Sequence, residues 1–452
     1  MNEIPAQAAM GWDKRRRASY DQPRTRLRDV LPAIAAAVAL ALANLAFGAV
    51  QPIAALTLSA GITAIAIASL AVAGPRGMTP GMLIGAAIVA IATVSGLAGP
   101  LTRASAPLAV LFAAGGMWTI GYLAAGRRTA LAAGWTTLIW TSTAYCAWMF
   151  IASTSAGAGN RLIADAFETP ANAAVVFGLL AMLGLGRVLH VLKQVDADAL
   201  LGLRLLDRLL RDALGGFLLL GVALACLLLT QSLPGILMAL GVLLGHVWWD
   251  TLAIMTRPHR GRVARIAVVA APVLACALAV WGVADGWLRD ETVAPGIGLT
   301  DVLPNMQRFD AYSSLWLQSP VTGHGLGSLG IAGATVQTLD NAKATLAPGG
   351  AHNVFLSWLV ETGFIGLALL FLALAAAHFR IMTTMTSRRA PRTFTRMAFA
   401  ASGLLLLHGV TDSSLNLPSV TWLYALLLGI ACGLARDQEI KDRDEAESKP
   451  AA

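Results

Sequence analysis

Charged side chains are scarce in this chain, and their scarcity decides its class. Only 13% of the 452 residues are charged, whereas 57% are hydrophobic; a soluble domain carries about 25% charged residues. Apolar stretches of about 20 residues recur, and each is long enough to cross about 30 Å of hydrocarbon. The composition therefore predicts an all-α fold, a polytopic membrane helix bundle.

Cysteine is rare as well, and the Gly-Lys pair is absent. The four cysteines all lie inside predicted spans, so we expect no disulfide and no cysteine metal site. Without a Gly-Lys pair the sequence lacks the phosphate-binding loop that many ATP-using enzymes carry. The letters GLGSLG at 325–330 fit a dinucleotide-binding pattern, but they follow a proline-containing loop instead of a strand. We therefore predict neither a metal nor a nucleotide cofactor.

Hydropathy divides the chain into about twelve transmembrane helices and one long loop. The predicted spans are 30–49, 52–73, 80–98, 106–125, 130–152, 171–189, 213–230, 234–253, 265–284, 362–379, 397–413 and 418–435. The resulting domains are a basic N-terminus at 1–29, nine spans within 30–284, a loop at about 285–361, three spans within 362–435 and a disordered tail at 436–452. A loop of that length is usually functional or disordered.

The basic residues predict which side of the membrane each segment faces. With the N-terminus in the cytoplasm, 28 of the 33 Lys and Arg residues fall on cytoplasmic segments and five on outside segments. Cytoplasmic segments of membrane proteins carry such an excess, so we expect both termini in the cytoplasm and the 285–361 loop outside. The same rule accounts for the net charge of +8 without any nucleic-acid partner.

The outside loop contains a polar, glycine-rich segment unlike the rest of the chain. It reads MQRFDAYSSLWLQSPVTGHGLGSLG from Met306 to Gly330 and includes Arg308. Clustered glycines allow backbone N–H groups to approach an anion closely. His352 and Asn353 then stand at the start of a predicted short helix, whose N-terminus favours phosphate. A cation, glycines and an imidazole on one side of the membrane predict a diphosphate site.

Polar residues elsewhere receive structural interpretations. We interpret His246 and His408, which lie inside spans, as hydrogen-bonded packing residues. Glu361 would be costly in mid-membrane, so we place it at the outer interface, on the short helix that starts at His352. The segment 196–213 alternates charged and leucine-rich faces at helical spacing, which predicts an amphipathic helix on the membrane surface.

Four motifs between about residues 301 and 430 resemble one family. They are QRFDAYSSLW, SPVTGHGLGS, HNVFLSWLVETGFIGL and TDSSLNLPSVTWLYALLLGI. Their order, their spacing and the twelve-span frame are similar to those of the O-antigen ligase and polysaccharide polymerase superfamily. That superfamily includes lipopolysaccharide O-antigen ligases, exopolysaccharide polymerases and bacterial protein O-oligosaccharyltransferases.

The resemblance implies a membrane glycan transferase that uses neither metal nor ATP. Its partners would be a glycan on undecaprenyl diphosphate, a hydroxyl of lipid A-core or of a growing polysaccharide, and the lipid bilayer. The reaction would take place at the periplasmic face of the bacterial inner membrane. By motif position, Arg308 would contact the diphosphate, and His352 would orient or deprotonate the acceptor hydroxyl. The substrate-binding candidates are Gly323, Gly325, Gly327, Asn353 and Asp412.

One family feature is missing, and several alternatives stay open. Family members commonly carry a Ser-Arg pair at the outer end of a span where this chain has Leu233 in the arginine position. Either another outside cation replaces that arginine, or the chain is a non-catalytic relative; a polysaccharide transporter is a further alternative. The candidate cations are Arg103, Arg161 and Arg289.

His324, between family glycines, is interpreted as a loop histidine. Ligase and polymerase activities are not separated by the sequence, and the oligomeric state stays open.

Overall fold

Twelve α-helices make up the part of the chain that the structure describes. The computed structural model describes residues 27–73, 90–91, 101–155, 166–194, 207, 209–255, 299–338, 341, 351–385 and 392–447. The helices are α1 Leu27–Leu45, α2 Pro52–Ala73, α3 Leu101–Ala125, α4 Arg128–Ser155, α5 Pro170–Gln194, α6 Leu214–Leu229, α7 Leu233–Met255, α8 Leu299–Gln318, α9 Leu329–Thr335, α10 Val354–Met385, α11 Arg392–Thr411 and α12 Pro418–Glu447.

Nine of the described helices are long and apolar enough to cross a membrane. Helix α4 has 28 residues, but its many Thr, Ser and Trp residues make it less apolar than those nine. The prediction of an all-α polytopic membrane protein is confirmed. The predicted spans at 80–98 and 265–284 lie outside the described residues, apart from a helical pair at 90–91. The surface helix at 196–213 is described only at 207 and 209–213, so it and the count of twelve spans stay predictions.

Helices α5 and α12 form the centre of the bundle, since 83% of the most apolar stretch of each is buried. Helix α12 packs along α3 with the two backbones in direct contact. A Cβ at Gly429 would lie 2.1 Å from the Trp118 carbonyl oxygen, and a Cβ at Gly433 would lie 2.4 Å from the Tyr122 carbonyl oxygen. Because lipid provides no hydrophobic force between helices, close approach through small residues is what favours such pairs.

The last helix continues beyond its predicted end. Helix α12 ends at Glu447, although the sequence predicted a disordered tail from 436. Arg380 of α10 pairs with Glu439 of α12 at 3.0 Å. This contact links the polar extension of α12 to its neighbour, and the prediction of disorder does not hold as far as Glu447.

A buried ion cluster joins three helices at the ends that lie away from the glycine-rich segment. Asp250 of α7 is fully buried, and it pairs with Lys193 of α5 at 2.7 Å and with Arg396 of α11 at 2.5 Å. Removing one member of a buried ion pair typically costs about 3–5 kcal/mol, so the cluster fixes how these helices pack. His246, one turn earlier on α7, is buried as its packing interpretation requires, but its ring nitrogens have no hydrogen-bond partner among the described residues.

Candidate functional site

Gly363 divides α10 into a short N-terminal segment and a long span. It has φ 63° and ψ −169°, a conformation that residues with a Cβ adopt only with strain. The N-terminal segment begins at Val354, and the Asn353 side-chain oxygen caps it by accepting the Leu356 N–H at 2.9 Å. The Asn353 side-chain nitrogen donates to the Val410 carbonyl at 2.9 Å. Asn353 therefore fixes the start of the helix, and the substrate contact expected of it stays a prediction.

The glycine-rich loop at 319–328 wraps around this break. The Gly325 N–H donates to the Glu361 carbonyl oxygen at 2.8 Å. A Cβ at Gly323 would lie 2.5 Å from the Glu361 backbone, and a Cβ at Gly363 would lie 2.6 Å from the Gly323 nitrogen. Two backbones therefore touch here, and glycine is required on both because no side chain fits between them. Glu361 lies on the short helix before the long span, as predicted, although this helix begins at Val354, two residues later than expected.

The Glu361 carboxylate points into the same loop. Its Oε1 atom accepts the N–H groups of Gly327 at 3.1 Å and Leu329 at 3.3 Å, while the Gly323 N–H donates to the Ser319 carbonyl at 3.0 Å. A protein carboxylate thus takes the place that the sequence suggested for a diphosphate. The N–H groups of the three motif glycines already donate to protein oxygens, and the expectation that these glycines bind substrate stays a prediction.

His352 and Asp412 come together as an imidazole–carboxylate pair. Nδ1 of His352 lies 3.6 Å from Oδ1 of Asp412, and the two side chains are 22% and 2% exposed. Asp412 also accepts the Ser413 N–H at 2.7 Å and the Thr169 hydroxyl at 3.1 Å. His352 has φ 47°, a value uncommon for a residue with a Cβ. The pair therefore consists of a partly exposed imidazole and a buried carboxylate that its neighbours hold in place.

Arg308 of α8 brings a cation to this pair. Burial lowers the pKa of the Arg308 guanidinium, whereas the nearby Tyr312 and Asp412 favour its charged form and oppose that shift. The structure therefore brings together Arg308, His352 and Asp412, three of the residues that the sequence singled out. The Arg308 side chain is covered by protein, since the residue is only 6% exposed.

Glu168 is a neighbour of this site that the sequence analysis missed. It is the central residue of a γ-turn, in which the Thr169 N–H donates to the Phe167 carbonyl at 2.7 Å and φ of Glu168 is 66°; this is the rare, strained form of that turn. Burial raises the pKa of the Glu168 carboxyl, and the charge of Asp412 raises it further. The local signal, Thr169 followed by Pro170, indicates only a helix start. It does not reveal a neighbour more than 240 residues away.

A cleft of about 360 Å³ opens at His352. It is lined by residues from α8, from the segment just before α10 and from the end of α11, namely Met306, Phe309, Asp310, Ala351, His352, Asn353, Val410 and Thr411. Its size falls within the range of about 300–1,000 Å³ that small-molecule sites occupy. The partly exposed imidazole is therefore accessible from a space large enough for a ligand.

The other candidate residues have simpler surroundings. The His324 ring hydrogen-bonds with a backbone carbonyl of α8 at 2.9 Å, in agreement with its interpretation as a loop histidine. Arg103, near the start of α3, is exposed, and its carbonyl oxygen lies against the glycine-rich loop. Arg161 and Arg289 lie outside the described residues. His408 is fully buried one turn before Asp412, as a packing residue would be.

A comparison with known protein families matches the part of the chain that contains Arg308 and His352. Residues 217–371 match a family described as O-Antigen ligase. This part of the chain is similar to the O-antigen ligase family. The resemblance inferred from the motifs is confirmed over these residues, and the match indicates membrane glycan processing of the ligase or polymerase kind. The matched residues include Arg308, the glycine-rich loop and His352, whereas Asp412 lies beyond them. No curated protein matches the chain.

Proposed function

We propose that this protein transfers a glycan from undecaprenyl diphosphate to an acceptor hydroxyl at the periplasmic face of the bacterial inner membrane. The observation that carries the proposal is the His352–Asp412 pair at a cleft. A buried carboxylate beside an imidazole holds the ring in one orientation and stabilises its protonated form. Those are the properties that a general base for a hydroxyl requires.

The reaction needs one proton acceptor and one place for negative charge. The acceptor hydroxyl gives its proton to Nε2 of His352, since Nδ1 faces Asp412, and the hydroxyl oxygen bonds to the anomeric carbon of the glycan. The bond between that carbon and the diphosphate breaks, and undecaprenyl diphosphate leaves with the electron pair. Because the donor carries its own leaving group, the reaction consumes no ATP.

Arg308 supplies positive charge for the departing diphosphate. At an effective dielectric near 20, one cation at about 4 Å lowers the energy of a phosphate charge by about 4 kcal/mol. The low exposure of Arg308 places its guanidinium in a medium less polar than water, where its charge acts over a longer distance. This electrostatic role does not require the motif glycines, whose N–H groups are used within the protein.

The proposal is tested by substituting the base. In proteoliposomes loaded with a glycan on undecaprenyl diphosphate, His352→Ala should lower the transfer rate by about 10²–10⁴-fold, the usual contribution of a general base. Lipid A-core and a growing polysaccharide are supplied as alternative acceptors, so the product also separates ligase from polymerase.

The matched control is the loop histidine. His324→Ala removes an imidazole from the same region but no proposed base, so its rate per folded protein should stay within about threefold of the unsubstituted chain. Both variants are compared at equal amounts of monodisperse protein. Transfer by His352→Ala at the unsubstituted rate would rule out its role as a base.

A further inference from the structure

Helix α8 presents two different faces. Met306, Phe309 and Asp310 follow the i, i+3, i+4 spacing of one helix face, and Arg308 and Tyr312 lie on the opposite face. Met306 and Phe309 are 60% and 51% exposed and line the cleft with Asp310, whereas Arg308 and Tyr312 are 6% and 2% exposed. The buried face therefore carries the cation of the site, and the cleft face carries an apolar surface with one carboxylate.

We propose that Phe309 and Asp310 form the subsite for an uncharged sugar residue of the acceptor. This inference rests on the proposed transfer function, and it adds the residues that hold the second substrate. The cleft that they line also contains His352. A sugar bound there presents a hydroxyl to the base.

The side chains of this face match the two surfaces of a sugar ring. The face of an aromatic ring carries partial negative charge, so Phe309 attracts the C–H groups on the flat side of a sugar. An ionised carboxylate only accepts hydrogen bonds and has about four lone-pair positions, so Asp310 suits the hydroxyl groups at the rim of the ring. Met306 and Val410, which are 60% and 56% exposed in the same cleft, extend the apolar surface.

The charge of Asp310 also decides which substrate the cleft face takes. Asp310 is exposed, and at short range its carboxylate repels the diphosphate of the donor and any acidic sugar. The donor diphosphate is favoured instead near Arg308, on the opposite face of α8. The two charges on α8 thus favour different parts of the substrates, with Arg308 near Asp412 for the donor diphosphate and Asp310 in the cleft for the acceptor sugar.

A binding experiment tests the subsite without relying on catalysis. Saturation-transfer NMR on the purified full chain in detergent uses four probes, the methyl glycosides of glucose and galactose and of their two uronic acids. At least one neutral glycoside should receive saturation, and its uronate should receive much less. Asp310→Asn removes the negative charge that repels a uronate, so it should reduce this discrimination by about tenfold, and Phe309→Ala should weaken the neutral signal.

The matched control lies on the same helix. Leu317 is 65% exposed, two turns beyond Asp310 on the same face, and it is not among the residues that line the cleft. Leu317→Ala should therefore leave the NMR signals unchanged. Equal signals for neutral and acidic glycosides in the unsubstituted chain, or no effect of Asp310→Asn and Phe309→Ala, would overturn the subsite.

Transfer kinetics separate this inference from the function on which it rests. In an active preparation, Asp310→Asn should raise the KM for the acceptor about tenfold and leave the KM for the lipid-linked donor unchanged. A raised donor KM with an unchanged acceptor KM would show that the cleft holds the donor lipid, and it would overturn the inference. If the unsubstituted chain shows no transfer but binds neutral glycosides through Asp310, the subsite stands and the proposed reaction fails.

Discussion

Glu168 combines a strained backbone with a carboxyl group close to another carboxylate. Its positive φ lies in the turn that connects α4 to α5, and the nearby charge of Asp412 adds to the effect of burial in raising its pKa. A residue that keeps both a strained backbone and a nearby like charge is a candidate for a functional role. Because Glu168 lies near the His352–Asp412 pair, its protonation state contributes to the net charge of the site.

The raised pKa of Glu168 predicts how its substitution changes stability with pH. The native state favours the protonated carboxyl, so the stability that this group contributes is complete below its ordinary pKa of 4.5 and is lost as the pH rises through the native pKa. Glu168→Gln cannot lose a proton, and its Tm should exceed that of the unsubstituted chain at pH 7 and equal it near pH 4. Thermal unfolding in detergent at both values measures the difference.

A suitable control for this comparison is Glu447→Gln, at the exposed end of α12. Its effect on the Tm should be the same at both pH values. A Tm difference for Glu168→Gln that does not change between pH 4 and pH 7 would contradict the raised pKa of Glu168.

At the scale of elements, the site depends on the contact between the glycine-rich loop and the break in α10. The Gly363 backbone lies against the loop, and a Cβ there would meet the Val321 carbonyl oxygen at 2.2 Å. Gly363→Ala should therefore lower the Tm strongly, because backbone strain of about 1–3 kcal/mol adds to this steric overlap. The measurement is the midpoint of thermal unfolding together with the yield of monodisperse protein.

Gly330, the last residue of the glycine-rich segment, offers a matched control. It lies inside α9, and a Cβ added there would have no atom within 4 Å. Gly330→Ala should leave the Tm unchanged or raise it, since alanine in a helix is favoured over glycine by about 0.5–1 kcal/mol. Similar Tm values for Gly363→Ala and Gly330→Ala would show that the loop does not depend on this contact.

The same elements show how far the sequence could predict the structure. The break near Gly363 and the short helix before it follow from local signals, because a glutamate is costly in mid-membrane and a histidine–asparagine pair suits a helix start. The insertion of the Glu361 side chain into the glycine-rich loop was not predictable, since a cluster of N–H groups can donate to a protein carboxylate as readily as to a phosphate. The proximity of Glu168 to Asp412 was also hidden, because hydropathy identifies spans but does not indicate which spans pack together.

At the scale of the whole molecule, orientation is the prediction on which the proposed reaction depends. The uneven distribution of Lys and Arg predicts that the segment around residue 330 faces the periplasm and that residue 258 faces the cytoplasm. A reporter enzyme that is active only outside the cytoplasm should therefore function when fused after residue 330 and fail when fused after residue 258. The reverse result would place the His352–Asp412 pair on the side without the proposed substrates.

The Lys193–Asp250–Arg396 cluster has a consequence for the order in which the chain assembles during synthesis. Lys193 precedes Asp250 by 57 residues, whereas Arg396 follows it by 146 residues. A single carboxylate in a membrane-spanning segment is costly, so α7 enters the membrane with its charge matched by α5, which the ribosome has already made. The arginine completes the cluster only when α11 is translated. A chain that stops before α11 therefore retains a matched pair at this point, whereas a chain without α5 leaves Asp250 unmatched until translation is nearly finished.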